Sequence, residues 1–61
     1  MYKYYKTYEQ GLRVANIRRA ITGQMVFVLF DRFTDCYLTM TFEEAVEDRF
    51  FFNELEVVNS N

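Results

Sequence analysis

The chain has no proline, no histidine and no tryptophan, and only one cysteine and two glycines in 61 residues. Each absence narrows the possibilities. A single cysteine excludes an internal disulfide, and without histidine a standard structural zinc site cannot be assembled. The commonest general base is missing, and so is a Gly-rich phosphate loop. Serine occurs once, at Ser60. The longest apolar run, Met25 to Phe30, is six residues, against about 20 for a membrane-spanning helix. The N-terminal Met1-Tyr2-Lys3-Tyr4-Tyr5-Lys6 has no apolar signal-peptide core. No membrane association is expected, and a lone thiol without an export signal makes the cytoplasm the expected compartment.

What is present is apolar and aromatic surface. Half the chain is hydrophobic (51%), with five tyrosines and seven phenylalanines, far too much for a disordered tail. A chain of 7.4 kDa buries roughly 60% of its unfolded surface, enough for one small core. No linker or repeat breaks residues 1–61, so one small domain is expected. With disulfide and zinc excluded, self-association is the remaining support for so small a core, and a homodimer or a partner-bound subunit is expected.

The net charge of −2 hides a strong asymmetry. Residues 1–30 carry a net of +4, residues 31–42 a net of −1 and residues 43–61 a net of −5. Such a dipole can steer a charged partner or favour head-to-tail association.

The pattern predicts an α+β fold: an antiparallel β-meander of three to four strands packed on one C-terminal α-helix, with a possible short final edge strand. Met25–Phe30, β-branched and aromatic on both faces, is the clearest strand. Cys36–Met40 follows as a second strand after the turn Asp31–Asp35. Upstream, Tyr2–Glu9 and Leu12–Ala20 read as strands, joined at Gln10-Gly11, with a hairpin at Ile21–Gln24. A helix over residues 8–22 is the rival. Thr7 and Gln10 match a capping box, and Arg18, Arg19 and Gly23 are helix-stop signals. The strand reading is preferred because Leu12, Val14, Ala15, Ile17, Ala20 and Ile21 scatter around a helix. Thr41-Phe42-Glu43-Glu44 is a second capping box. It opens a helix whose Phe42, Ala45, Val46 and Phe50 share one face and whose Glu43, Glu44, Glu47 and Asp48 share the other. This helix should end near 50–52, and residues 54–58 can form the edge strand.

If Phe30 pairs with Cys36, then Val28 meets Leu38 and Val26 meets Met40, building one apolar face with Ala15, Ile17 and Ile21 for the C-terminal helix. The opposite face would carry Arg18, Phe27, Leu29 and Tyr37, with Tyr5 if the first strand pairs. One helix cannot cover both faces, so this basic-aromatic face is the candidate binding surface. On that reading, serine at both Phe27 and Tyr37 would leave the fold intact and abolish association.

No residues form a catalytic constellation, so a non-enzymatic protein without metal or cofactor is expected. Asp31 and Asp35 lack the oxygen-ligand spacing of a calcium loop. Cys36 has no adjacent base to activate it, and Glu43 and Glu44 point apart on a helix. Candidate partner-binding residues are therefore Tyr5, Arg18, Phe27, Leu29 and Tyr37 on the sheet, and Glu47, Asp48 and Phe51 on the acidic helix. Tyr, Phe and Arg are types enriched at interface cores. In size and acidic-aromatic character the chain resembles phage and mobile-element products that block host machinery, anti-CRISPR proteins among them. That resemblance implies a small inhibitor or adaptor that binds a host or defence protein. The alternative is a dimeric single-stranded nucleic-acid binder. Bases would stack on Tyr5, Phe27 and Tyr37 while Lys3, Arg13 and Arg18 meet phosphates. The meander-then-helix order is similar to the whirly and coactivator-type single-strand binders.

Overall fold

Residues 8–22 are helical. The computed structural model describes residues 2–47 and 55–60, and its first element is helix α1, Tyr8–Thr22. Thr7 caps it in extended conformation, its hydroxyl accepting from the Gln10 backbone N–H at 3.2 Å. Gly23 ends it in the left-handed region (φ 71°) and donates its N–H to the Arg19 carbonyl at 2.8 Å. Both end signals are those of the rival helical reading. The preferred strand over Leu12–Ala20 is thus corrected, together with the turn at Gln10-Gly11 and the hairpin at Ile21–Gln24.

The reason lies in which residues make the seam. Gly11 and Ala15, four apart on one face, are the buried residues of α1, with Tyr8 and Leu12 packed alongside. A Cβ on Gly11 would lie 3.3 Å from Val28 Cγ1 and 3.4 Å from Tyr37 Cβ. Small residues let the helix axis approach the sheet closely. The large Ile17 and Ile21 point outward and are exposed. A count of bulky apolar positions therefore misses this helix.

Among the described residues three strands form one antiparallel sheet: β1 (Val26–Asp31), β2 (Cys36–Thr41) and β3 (Leu55–Ser60), in the order β2-β1-β3. The α+β class stands, but the sheet is not a meander, because β3 pairs with the far side of β1 rather than with β2. β1 is central, which accounts for its apolar character on both faces. β3 is the expected edge strand, bulged opposite Val28 and Leu29. The expected first strand is reduced to one bridge, in which Tyr5 and Tyr37 exchange two backbone hydrogen bonds of 2.7 Å.

The β1–β2 register is one residue away from expectation: Asp31 pairs with Cys36, Leu29 with Leu38, and Phe27 with Met40. Asp31 belongs to the strand. Its carbonyl accepts from the Asp35 N–H at 2.8 Å, its carboxylate from the Phe33 N–H at 2.9 Å, and Asp35 takes φ 58°. This closes the turn one residue later and turns every β2 side chain to the opposite face. Leu38 and Met40 consequently join Leu29, Leu55 and Ala45 in one cluster. Val26, Val28 and Ala15 form the other, with Tyr37 and Tyr8 against it.

Helix α2, Phe42–Glu47, starts where the capping box places it. The Thr41 hydroxyl accepts from the Glu44 N–H at 3.2 Å, and the Glu44 carboxylate accepts from the Thr41 N–H at 2.9 Å. Its expected end near 50–52 lies outside the described residues. Of its predicted apolar face, Ala45 is buried, whereas Phe42 and Val46 are exposed. Among the described residues α1, a packing helix the strand reading did not expect, contacts both β1 and β2, while α2 contacts β2 and buries Ala45.

Candidate interaction surfaces

The one-residue register shift and the helix at 8–22 divide the predicted sheet surface between two sides. Tyr37 lies on the α1 side, its ring 6.0 Å from Tyr8 and 5.1 Å from Phe30. Phe27 lies on the other side, packed against the Leu29–Met40 cluster. Leu29 is 0% exposed and has no surface to offer a partner. The expected common face of Arg18, Phe27, Leu29 and Tyr37 is therefore not formed. Glu47 is exposed on α2, while Asp48 and Phe51 lie outside the described residues.

Arg18 is half-buried on α1 and stitches three elements together. Its guanidinium donates to the Thr39 carbonyl and hydroxyl, both at 3.1 Å, and to the Glu44 carboxylate at 2.8 Å. Burial alone would raise the Glu44 pKa. The hydrogen bonds from the Thr41 backbone and Arg18, with the guanidinium charge, outweigh it and hold the carboxyl below its ordinary value of 4.5. Around this pair opens a cleft of about 230 Å³, lined by Tyr2, Lys3, Tyr5, Arg18 and Glu44. Two predicted residues, Tyr5 and Arg18, do come together there. The guanidinium is already committed to Glu44 and Thr39, which leaves Lys3 as the other positive charge lining the cleft. On the neighbouring edge, burial and then the Asp31 charge and hydrogen bond push the Tyr4 phenol up.

The exposed apolar side chains lie elsewhere. At the tip of the β1–β2 hairpin, Phe33 is 79% exposed beside Arg32, its backbone N–H held by Asp31. On α2, Phe42, Glu43, Val46 and Glu47 line an open groove of about 240 Å³. On α1, Ile17 and Ile21 face outward. Sequence reasoning placed Ile17, Ile21, Phe42 and Val46 in the core and passed over Phe33. The signal for Phe33 was its place inside the Asp31–Asp35 turn, since connecting segments run over the surface.

Comparison with family models, curated proteins and solved structures finds no match.

Among the described residues no three His, Cys, Asp or Glu side chains gather into a metal-holding group. No described helix is long and apolar enough to cross a membrane.

Proposed function

We propose that this chain is a non-enzymatic protein-interaction module. It is of the inhibitor or adaptor kind found among phage and mobile-element products that bind a host or defence protein. The observation that carries the reading is Phe33. A large aromatic side chain, 79% exposed, stands at a hairpin tip whose backbone is closed by the Asp31 carboxylate and the Asp35 turn. Projecting aromatic residues act as anchors in partner pockets. Full burial of a phenylalanine contributes about 1.5–3 kcal/mol, and the fixed turn limits the entropy lost on docking. Arg32 and Asp35, both exposed, flank it, so a pocket with a rim of mixed charge suits the tip. The nucleic-acid alternative needs Phe27, Tyr37 and Arg18 on one open face, and Phe27 and Tyr37 lie on opposite sides of the sheet.

The test is paired. Immobilised wild-type protein and its Phe33→Ser variant are exposed to extract of the cells that express the chain. Each retained protein is then purified and titrated against both. The reading expects a protein bound by wild type and weakened at least tenfold by Phe33→Ser. Separately, a short single-stranded oligonucleotide is titrated at two salt concentrations. Tight, steeply salt-dependent binding would favour the nucleic-acid class instead.

A further inference from the structure

The outer face of α1 and the groove on α2 match each other in spacing and in charge. Ile17 and Ile21 stand one turn apart on α1, exposed by 53% and 77%, and Phe42 and Val46 stand one turn apart on α2, exposed by 63% and 52%. Arg13 lies one turn before Ile17 on the same helix, and α1 as a whole carries Arg13, Arg18 and Arg19 against Glu9. α2 carries Glu43, Glu44 and Glu47 and no basic residue. Among the described residues, Arg18–Glu44 is the ion pair between them, leaving Arg13, Glu43 and Glu47 without one.

Within one molecule α1 and α2 are joined through Arg18–Glu44, but these two surfaces do not pack on each other. Gly11 and Ala15 turn α1 inward onto the Val26–Val28 side of the sheet, so Ile17 and Ile21 face away from it. Ala45 joins the Leu29–Met40 cluster on the opposite side. The α2 surface does not suit a copy of itself, since that contact opposes Glu43 and Glu47; the α1 stripe, with Glu9 a turn further back, places Arg13 next to Ile17 and offers it to the acidic groove. We propose that the outer face of α1 docks into the α2 groove of a second copy of this chain, Ile17 and Ile21 packing on Phe42 and Val46, and Arg13 facing Glu43 and Glu47. The contact is head-to-tail, because the two surfaces it joins are different ones. It is independent of Phe33, so it stands or falls separately from the functional reading above.

Sedimentation velocity tests it with two variants that each disable one half. Ile17→Asp/Ile21→Asp blocks the α1 face, and Phe42→Asp/Val46→Asp blocks the groove. All four positions are exposed, so circular dichroism should show both variants folded. Wild type should exceed the monomer mass of 7.4 kDa increasingly with concentration. Each variant alone should stay monomeric, and an equimolar mixture should form a one-to-one pair, since one intact α1 face meets one intact groove. Should either variant lose its fold, Arg13→Glu and Glu43→Lys/Glu47→Lys carry the same test through charge, each weakening self-association alone and the mixture restoring it. A monomeric wild type at every concentration overturns the proposal. So does undiminished association of either folded variant, or a mixture that stays monomeric. Phe33→Ser should associate as wild type does.

Discussion

At Gly11 the helix and the sheet come within van der Waals contact, and the absent side chain is what allows it. A bulky residue there must displace Val28 or Tyr37, or lift α1 from the sheet. Gly11→Leu should therefore cost about 1–3 kcal/mol through overpacking, read as a lower urea midpoint; an unchanged midpoint would mean α1 does not approach there. Arg18 was recognisable from the sequence as a residue of consequence, but not for what it does. Its partners, Thr39 and Glu44, lie more than twenty positions away, and no local pattern announces them. The Glu44 carboxyl has its pKa lowered in the folded state. A depressed carboxylate contributes stability that is present above its unfolded value and lost as pH falls through the folded one. Thermal stability should thus decline in acid below about pH 4.5. Glu44→Gln should be less stable at neutral pH and flatter across that acid range; an acid limb identical to wild type would remove Glu44 from the account.

Helix starts were written locally, and helix α2 begins at the capping box read from the sequence. Thr41→Ala should cost about 1 kcal/mol by leaving the Glu44 N–H without its hydroxyl acceptor, and Thr7→Ala should do the same at α1. An unmoved denaturation midpoint would contradict either cap. The elements that could not be read are those decided by tertiary packing. Thr7, Gln10 and Gly23 marked a helix over 8–22, yet its seam of Gly11 and Ala15 only becomes favourable against the Val26–Val28 surface. The sheet register hung on whether Asp31 ended the strand or opened the turn, and its carboxylate, bonded to Phe33 N–H, decided for the strand. One residue of slip then separated Phe27 from Tyr37. Serine at both positions should now cost the fold, since each packs against a different buried cluster. Cooperative unfolding near the wild-type temperature would return these residues to the surface.

Both faces of the sheet are occupied, and the molecule's radius of gyration of 10.4 Å matches the roughly 10.5 Å expected of a compact chain this long. On one side the sheet is covered by α1, so the common basic-aromatic face expected of it is not formed. The reason for expecting interaction survives in another place: large apolar side chains stand exposed at the hairpin tip and on the two helices. The charge asymmetry visible in the sequence divides between a basic α1 and an acidic α2, with Arg18–Glu44 as the internal link. The central claim is that the chain acts by presenting Phe33 to a protein partner. Its most direct test is titration of a purified captured partner against wild type and Phe33→Ser, both shown to be folded by circular dichroism. The account predicts at least a tenfold loss of affinity in the variant; equal affinity for the two would contradict it.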